Sequence, residues 1–158
     1  MQSKEDVQQK FVLFELVNTT YAVHSGFVRR LEMVENITQV PNAPAELEGI
    51  VLSQGKIIPA VNLRVRFGFP KSPFDLRTRL IVVESQGRSV GLIVDSAREF
   101  KIIPKDEITP APESIENLNG EYIEGIAALE GRMVIVLKLD EILRLADHVP
   151  ASVGPQPV

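Results

Sequence analysis

The chain carries one pattern twice, and a duplication constrains architecture more tightly than composition does. Leu47 to Phe67 (LEGIVLSQGKIIPAVNLRVRF) lies without gaps on Ile123 to Leu143 (IEGIAALEGRMVIVLKLDEIL). Glu48 matches Glu124, Gly49 matches Gly125, Ile50 matches Ile126, Gly55 matches Gly131 and Leu63 matches Leu139. A cation, Lys56 or Arg132, follows each turn glycine. Phe11 to Val34 follows the rhythm of Leu80 to Ile103 more loosely, as strand, turn, strand, then a third strand holding Arg29 or Arg98. Both matches run in the same order, so the chain reads as two similar units of about five strand segments each, too many for one flat sheet to leave its edges bare. Each unit is therefore expected to curl into a small β-barrel. A unit of roughly 70 residues buries only about 60% of its unfolded surface, so the two units gain by packing apolar faces together.

Local signals place the segments. Phe11 to Val17 and Tyr21 to Val23 are apolar runs around a turn supplied by Asn18 and the Thr pair, and Phe27 to Val34 is a third extended piece. Pro41-Asn42-Ala43-Pro44 then interrupts pairing, because proline has no amide to donate. Further hairpins are expected across Gln54-Gly55, Gln86-Gly87 and Glu130-Gly131, where Gly55, Gly87 and Gly131 supply the positive φ of a tight turn. Arg98 to Ile103 makes another strand up to Pro104, ahead of a loop holding Pro110 and Pro112. Asn62 and Asp140 are positioned to cap short helices; the first carries Leu63 and Phe67 and stops at Gly68 and Pro70, the second carries Ile142, Leu143 and Leu145. The expected organisation is a flexible N-terminus over 1–10, one domain over 11–146 and a flexible tail over 147–158. The domain divides into intertwined β subdomains, roughly 11–68 and 79–146, joined by a connector at 69–78.

Composition then excludes classes. With 44% hydrophobic and 24% charged residues in 158, a packed core is expected rather than disorder. The formal charge of −4, the absence of Trp and a Tyr count of 2 argue against nucleic acid, which asks for a basic surplus and aromatic stacking platforms. No Cys is present, which removes disulfides, thiolate metal sites and a Cys nucleophile. The polar start and the lack of a long apolar stretch show neither a secretory signal nor a membrane span, so a cytoplasmic location without membrane insertion is expected.

Catalytic chemistry finds no foothold either. The two His residues are His24, which the repeat sets opposite Ile93 and which reads as a partner-bonded structural residue, and His148 near the tail. The acidic residues are scattered or in short pairs such as Asp106-Glu107, a solvated-surface pattern rather than a metal cluster. Neither Ser53 nor Ser89 sits in a nucleophile elbow, and no phosphate-binding glycine motif occurs. No enzyme activity and no cofactor are expected. A doubled β body with grooves and no catalytic set is how a protein-binding module is built.

The stretch GIVLSQGKIIPAVNLRVRFG resembles the signature of the CheW chemotaxis coupling family, with Gly49, Gly55, Pro59, Val61, Leu63, Arg64, Arg66 and Phe67 in place. The similarity extends from Phe11 through Leu145, including Tyr21-Ala22-Val23, Arg88 to Asp95 and Tyr122 to Gly125. The resemblance implies a mostly β fold of two five-stranded, SH3-like barrels with short helices. It also implies a scaffold linking the cytoplasmic tips of chemoreceptors to the regulatory domain of a CheA-type histidine kinase, without a cofactor. A CheW-like scaffold of a non-motility chemosensory array is the alternative within the family; outside it stands a small barrel that binds nucleic acid or a small ligand. By the same resemblance the receptor tip lies in a groove near the third strand and the Gln54-Gly55 turn, which makes Val28, Leu31, Gln54 and Gly55 the candidate binding residues. The sequence departs from the family pattern where Gln54 replaces an Arg and Arg30 replaces a Glu. If those two positions face one another, changing both avoids stranding a charge. Gln54 has no charged fork with which to clamp a receptor carboxylate.

Overall fold

The computed structural model describes residues 9–112 and 122–146, without the side chains of residues 98, 99 and 144–146. Most of the termini, including His148 and the tail, lie outside the described residues. The strands are β1 (Lys10–Leu16), β2 (Thr19–His24), β3 (Val28–Met33), β4 (Leu47–Ser53), β5 (Lys56–Asn62), β6 (Arg79–Ser85), β7 (Arg88–Val94), β8 (Ser96–Ile102), β9 (Ile108–Thr109), β10 (Ile123–Leu129) and β11 (Arg132–Leu137). Two helices, α1 (Leu63–Arg66) and α2 (Leu139–Ala146), follow β5 and β11.

Four hairpins form around two-residue turns whose central residues both have positive φ: Val17-Asn18, Gln54-Gly55, Gln86-Gly87 and Glu130-Gly131. That geometry matches the right-handed twist of paired strands. The first turn falls one residue earlier than the Thr pair suggests, and Thr19 and Thr20 belong to β2. Asn62 caps α1 by accepting a bond from the Val65 amide, and Gly68 at φ 85 ends it. Asp140 does not cap α2. It sits inside the first turn, where its carboxylate accepts a bond from Ser85 Oγ at 2.7 Å.

The strands assemble into two mixed sheets, ordered β8-β1-β2-β11-β10-β9 and β3-β6-β7-β5-β4. Neither ladder closes on itself, so the small-barrel expectation reduces to two open sheets. Each sheet draws strands from both halves of the sequence. The third strand of the first repeat, β3, pairs with β6 of the second, and β8 of the second pairs with β1 of the first. A reciprocal exchange of this kind relates the halves by an approximate internal twofold. The registers agree with it: Val12 faces Phe100 as Ile81 faces Leu31, and Val136 faces Ala22 as Ala60 faces Gly91.

This exchange explains why β1 and β6 are nearly continuous apolar runs. Each is buried on both faces. Val12, Phe14 and Leu16 of β1 join Ile81 and Val83 of β6 in a central core shared by the sheets. Phe11 and Leu13 turn instead into a cluster with Val134 and Val136, and Leu80 and Val82 into one with Val51, Ile58 and Ile93. Alternation along a strand sends neighbours to opposite faces, so one strand serves two cores.

Gly49 and Gly125 hold corresponding bulges. The segment after β3 crosses Gly49, where Thr38 and Ile50 exchange backbone bonds at 2.9 and 2.8 Å, and a Cβ on Gly49 would run into the Thr38 carbonyl. At Gly125 the crossing element is β9, with Thr109 O 2.8 Å from where a Cβ would stand.

Candidate functional site: a partner-binding surface

β3 is an edge strand of the second sheet, and Val28 and Leu31 on it are half-buried against the central core. Arg30 between them is not paired with Gln54. Its guanidinium donates to Glu32 Oε1 at 2.6 Å and, through Nε, to Ser53 Oγ at 3.0 Å, while the Ser53 hydroxyl donates to Glu32 at 2.6 Å. Chiefly because of the Ser53 bond, and further because of Arg30, the Glu32 carboxyl is held below its ordinary value against a partial burial penalty. β3 and β4 are the two outer strands of this sheet, so the Arg30–Glu32–Ser53 cluster draws opposite edges together through side chains where no ladder does.

Gln54 and Gly55, next along from Ser53, are exposed at the tip of the β4–β5 hairpin, Gly55 at φ 81. The facing pair Leu52 and Ile57 flanks that tip, 72% and 71% exposed. The internal twofold sets Ala128 and Met133 at the equivalent tip, again a facing pair open to solvent. Sequence reasoning missed these side chains. The signal available was GIVL in β4, apolar residues on both phases of a strand whose inward phase ends in buried Ser53. The other turn glycines, Gly87 and Gly131, lie at φ 77 and 79.

Near the start of β3 a groove of about 660 Å³ runs between Phe27 and the β11–α2 junction, bounded by His24, Glu124, Leu137 and Leu139. His24 has the partner expected of it. Its Nε2 lies 3.1 Å from Glu124 Oε2, and its ring packs on Phe11 at 4.5 Å. This contact ties β2 of one half to β10 of the other.

From α1, Arg64 clasps Asp95 through Nε and Nη2, both bonds at 2.6 Å, and the Val17 amide donates to the same carboxylate at 2.9 Å. Burial pushes the Asp95 carboxyl up. The bonds from Arg64 and Val17, with the charges of Arg64 and Arg77, outweigh it and hold the group below the ordinary range. These are structural ties, and among the described residues no group of three or more His, Asp or Glu could hold a metal ion. Also among them, no helix is long and apolar enough to cross a membrane.

A surface with apolar tips and half-buried edge residues is suited to recognising polypeptide. Comparison with known proteins agrees. The chain is 32% identical to the chemotaxis protein CheW of Klebsiella aerogenes over 153 residues, covering 94% of this chain and 92% of that protein. It is 30% identical to the CheW of Helicobacter pylori over 145 residues, covering 90% and 86%. The crystal structure of the scaffolding protein TtCheW from Thermoanaerobacter tengcongensis superposes with a TM-score of 0.76 at 34% identity, over 83% of this chain and 89% of that one. The model of the CheW-like domain matches residues 10–147, and the chain belongs to that family.

Proposed function

We propose that the protein is a non-catalytic chemotaxis adaptor that couples chemoreceptors to a CheA-type histidine kinase. The observation that carries this, beyond family membership, is the pair of solvent-facing apolar hairpin tips related by the internal twofold. A scaffold must hold two neighbours at once, and a duplicated body offers two equivalent attachment points from one chain. In this reading regulatory domains of the kinase dock at both tips, on Leu52 and Ile57 and on Ala128 and Met133, and the receptor tip lies along Val28 and Leu31 beside Gln54 and Gly55. The Arg30–Glu32–Ser53 cluster lends the second sheet the barrel-like curl that brings β3 beside this turn, and the work is done in the cytoplasm.

Gln54 and Gly55 bring no charge of their own to the turn, where Lys56 is the neighbouring cation. The cation supplied by the family's Arg is absent at Gln54, and Arg30 spends its charge on Glu32. Complementarity of shape then decides the receptor partner.

Sedimentation of the protein with the kinase regulatory domain of its own organism tests the proposal. A complex at tens of micromolar is expected, weakened about tenfold or more by Leu52→Asp, which buries a charge in a contact core. No complex at that concentration, or equal binding by Leu52→Asp, refutes the proposal or its docking surface respectively.

A further inference from the structure

The connector between α1 and β6 carries the most exposed large apolar side chain among the described residues, Leu76 at 83%, with Phe74 two residues before it at 43%. A lone exposed Leu is ordinary on a protein surface. This one is held in place. Asp75 Oδ1 accepts from the amides of Arg77 and Thr78 at 2.8 and 3.2 Å, the Asp75 amide donates to Thr78 Oγ1 at 2.9 Å, and the Thr78 amide closes the turn on the Asp75 carbonyl at 3.2 Å. Arg79 braces the crest of the turn, its Nη1 donating to the Leu76 carbonyl at 2.7 Å. A loop fixed in one shape before contact loses little conformational entropy on binding, so Phe74 and Leu76 form a preorganised apolar knob.

Positive charge rings the knob. Residues 69–79 hold Lys71, Arg77 and Arg79 against Asp75 alone, in a chain whose formal charge is −4. Lys71 and Arg77 pair with Glu48 and Glu15, yet the cations are the outer members of these pairs: their side chains are 58% and 66% exposed, those of the two carboxylates 16% and 22%. An approaching surface therefore meets the cations first. The partner that fits presents an apolar hollow with an acidic rim.

The groove between Phe27 and the β11–α2 junction is such a hollow. Phe27, Leu137 and Leu139 give it apolar walls, and Glu124, Asp140 and Glu141 line it against Lys138 and His24, the last bonded to Glu124. Its volume of about 660 Å³ is in the range that takes a drug-sized ligand, more than two side chains need. Knob and groove lie at opposite ends of β6. Arg79 at the start of that strand bonds to the knob, and Ser85 at its end donates to Asp140 in the groove. A seven-residue strand spans about 20 Å, so the knob cannot enter the groove of its own chain but can enter that of the next.

We infer that Phe74 and Leu76 of one copy of this chain seat in the groove of a second copy, with Lys71, Arg77 and Arg79 facing Glu124, Asp140 and Glu141. The contact joins two different surfaces, so copies add head to tail. It uses neither hairpin tip nor β3, and so it stands whether or not the adaptor reading does.

Sedimentation velocity of the full chain from about 20 µM to about 1 mM tests it, the span in which a small contact of this kind associates. The weight-average coefficient should climb with concentration. Leu76→Asp removes the knob at an exposed position, and Gly26→Arg fills the groove with a bulky cation where an added Cβ meets nothing within 4 Å. Both variants should fold, and each should associate at least about tenfold more weakly than the natural chain. Mixed in equal amounts they should form a 1:1 dimer and nothing larger, because the intact knob of Gly26→Arg meets the intact groove of Leu76→Asp and no further site is left. A natural chain that stays monomeric at about 1 mM overturns the inference. So does association that survives Leu76→Asp, as a dimer through the hairpin tips would, or a mixture no heavier than its components.

Discussion

Replacing Gly49 by alanine tests the crossing that organises the second sheet. Two costs add at this position. The backbone sits at φ 151, a region left almost entirely to glycine, which costs about 1–3 kcal/mol for any other residue. The new methyl also meets the Thr38 carbonyl, a backbone atom that can yield only by breaking the two Thr38–Ile50 bonds, worth about 1 kcal/mol each. The sum is about 3–5 kcal/mol, a large share of the stability of an ordinary domain. Gly125→Ala is a built-in control. Its φ is not in the left-handed region, and the nearest obstacle is the Ile108 Cγ2 methyl at 2.6 Å, which can rotate, with Thr109 O at 2.8 Å. Overpacking of that kind costs about 1–3 kcal/mol. In urea melts with a slope of about 2 kcal/mol per molar, Gly49→Ala should lower the midpoint by about 2 M, and Gly125→Ala by about half that. A Gly49→Ala midpoint within about 0.5 M of the natural chain, on the same scale, would show that the crossing carbonyl does not dictate glycine there. A larger loss in Gly125→Ala would do the same.

Gly55→Ala should cost only about 1 kcal/mol, from φ 81 alone, because nothing lies within 4 Å of the added Cβ; thermal melts that put it level with Gly49→Ala would contradict the contrast. Gln54→Arg at the exposed turn should leave the melting temperature nearly unchanged and alter affinity for a cognate receptor tip. Identical affinity would remove that turn from the receptor surface. Asp95→Asn should destabilise the protein by about 2 kcal/mol at neutral pH, since it unmakes the Arg64 clasp and leaves a partly buried cation. The folded-state carboxyl is held below the unfolded value near pH 4, so its contribution is present above that pH and is lost as pH falls through the lower folded value. Urea midpoints of the natural chain should therefore fall more steeply than those of Asp95→Asn as the pH drops below about 4, and parallel curves would show that the clasp adds nothing.

Much of the fold was legible because its signals are local. The Gln54-Gly55, Gln86-Gly87 and Glu130-Gly131 hairpins follow from turn chemistry between apolar runs, and the helix after Asn62 from its cap. Of the candidate site, Val28, Leu31, Gln54 and Gly55 came from likeness to a family. The tip pair Leu52 and Ile57 and the role of Ser53 did not emerge, because strand alternation says which residues share a face but not which face stays bare.

The sequence by itself determined three of the hairpin turns, that the chain is doubled, and that no Cys is present for chemistry. Only the tertiary structure decided which strands pair beyond the hairpins. β1 and β6 carry equivalent patterns, so nothing local distinguishes β3 on its own partner from β3 on the other half's, and the choice of β6 is made by contacts far apart in sequence. The same holds for Glu32 and Ser53 meeting Arg30, for the Thr38 carbonyl over Gly49, and for Arg66 buried where its counterpart is Ile142. Propensity and periodicity act within a few residues, whereas packing and pairing are settled by groups that only the folded chain brings together.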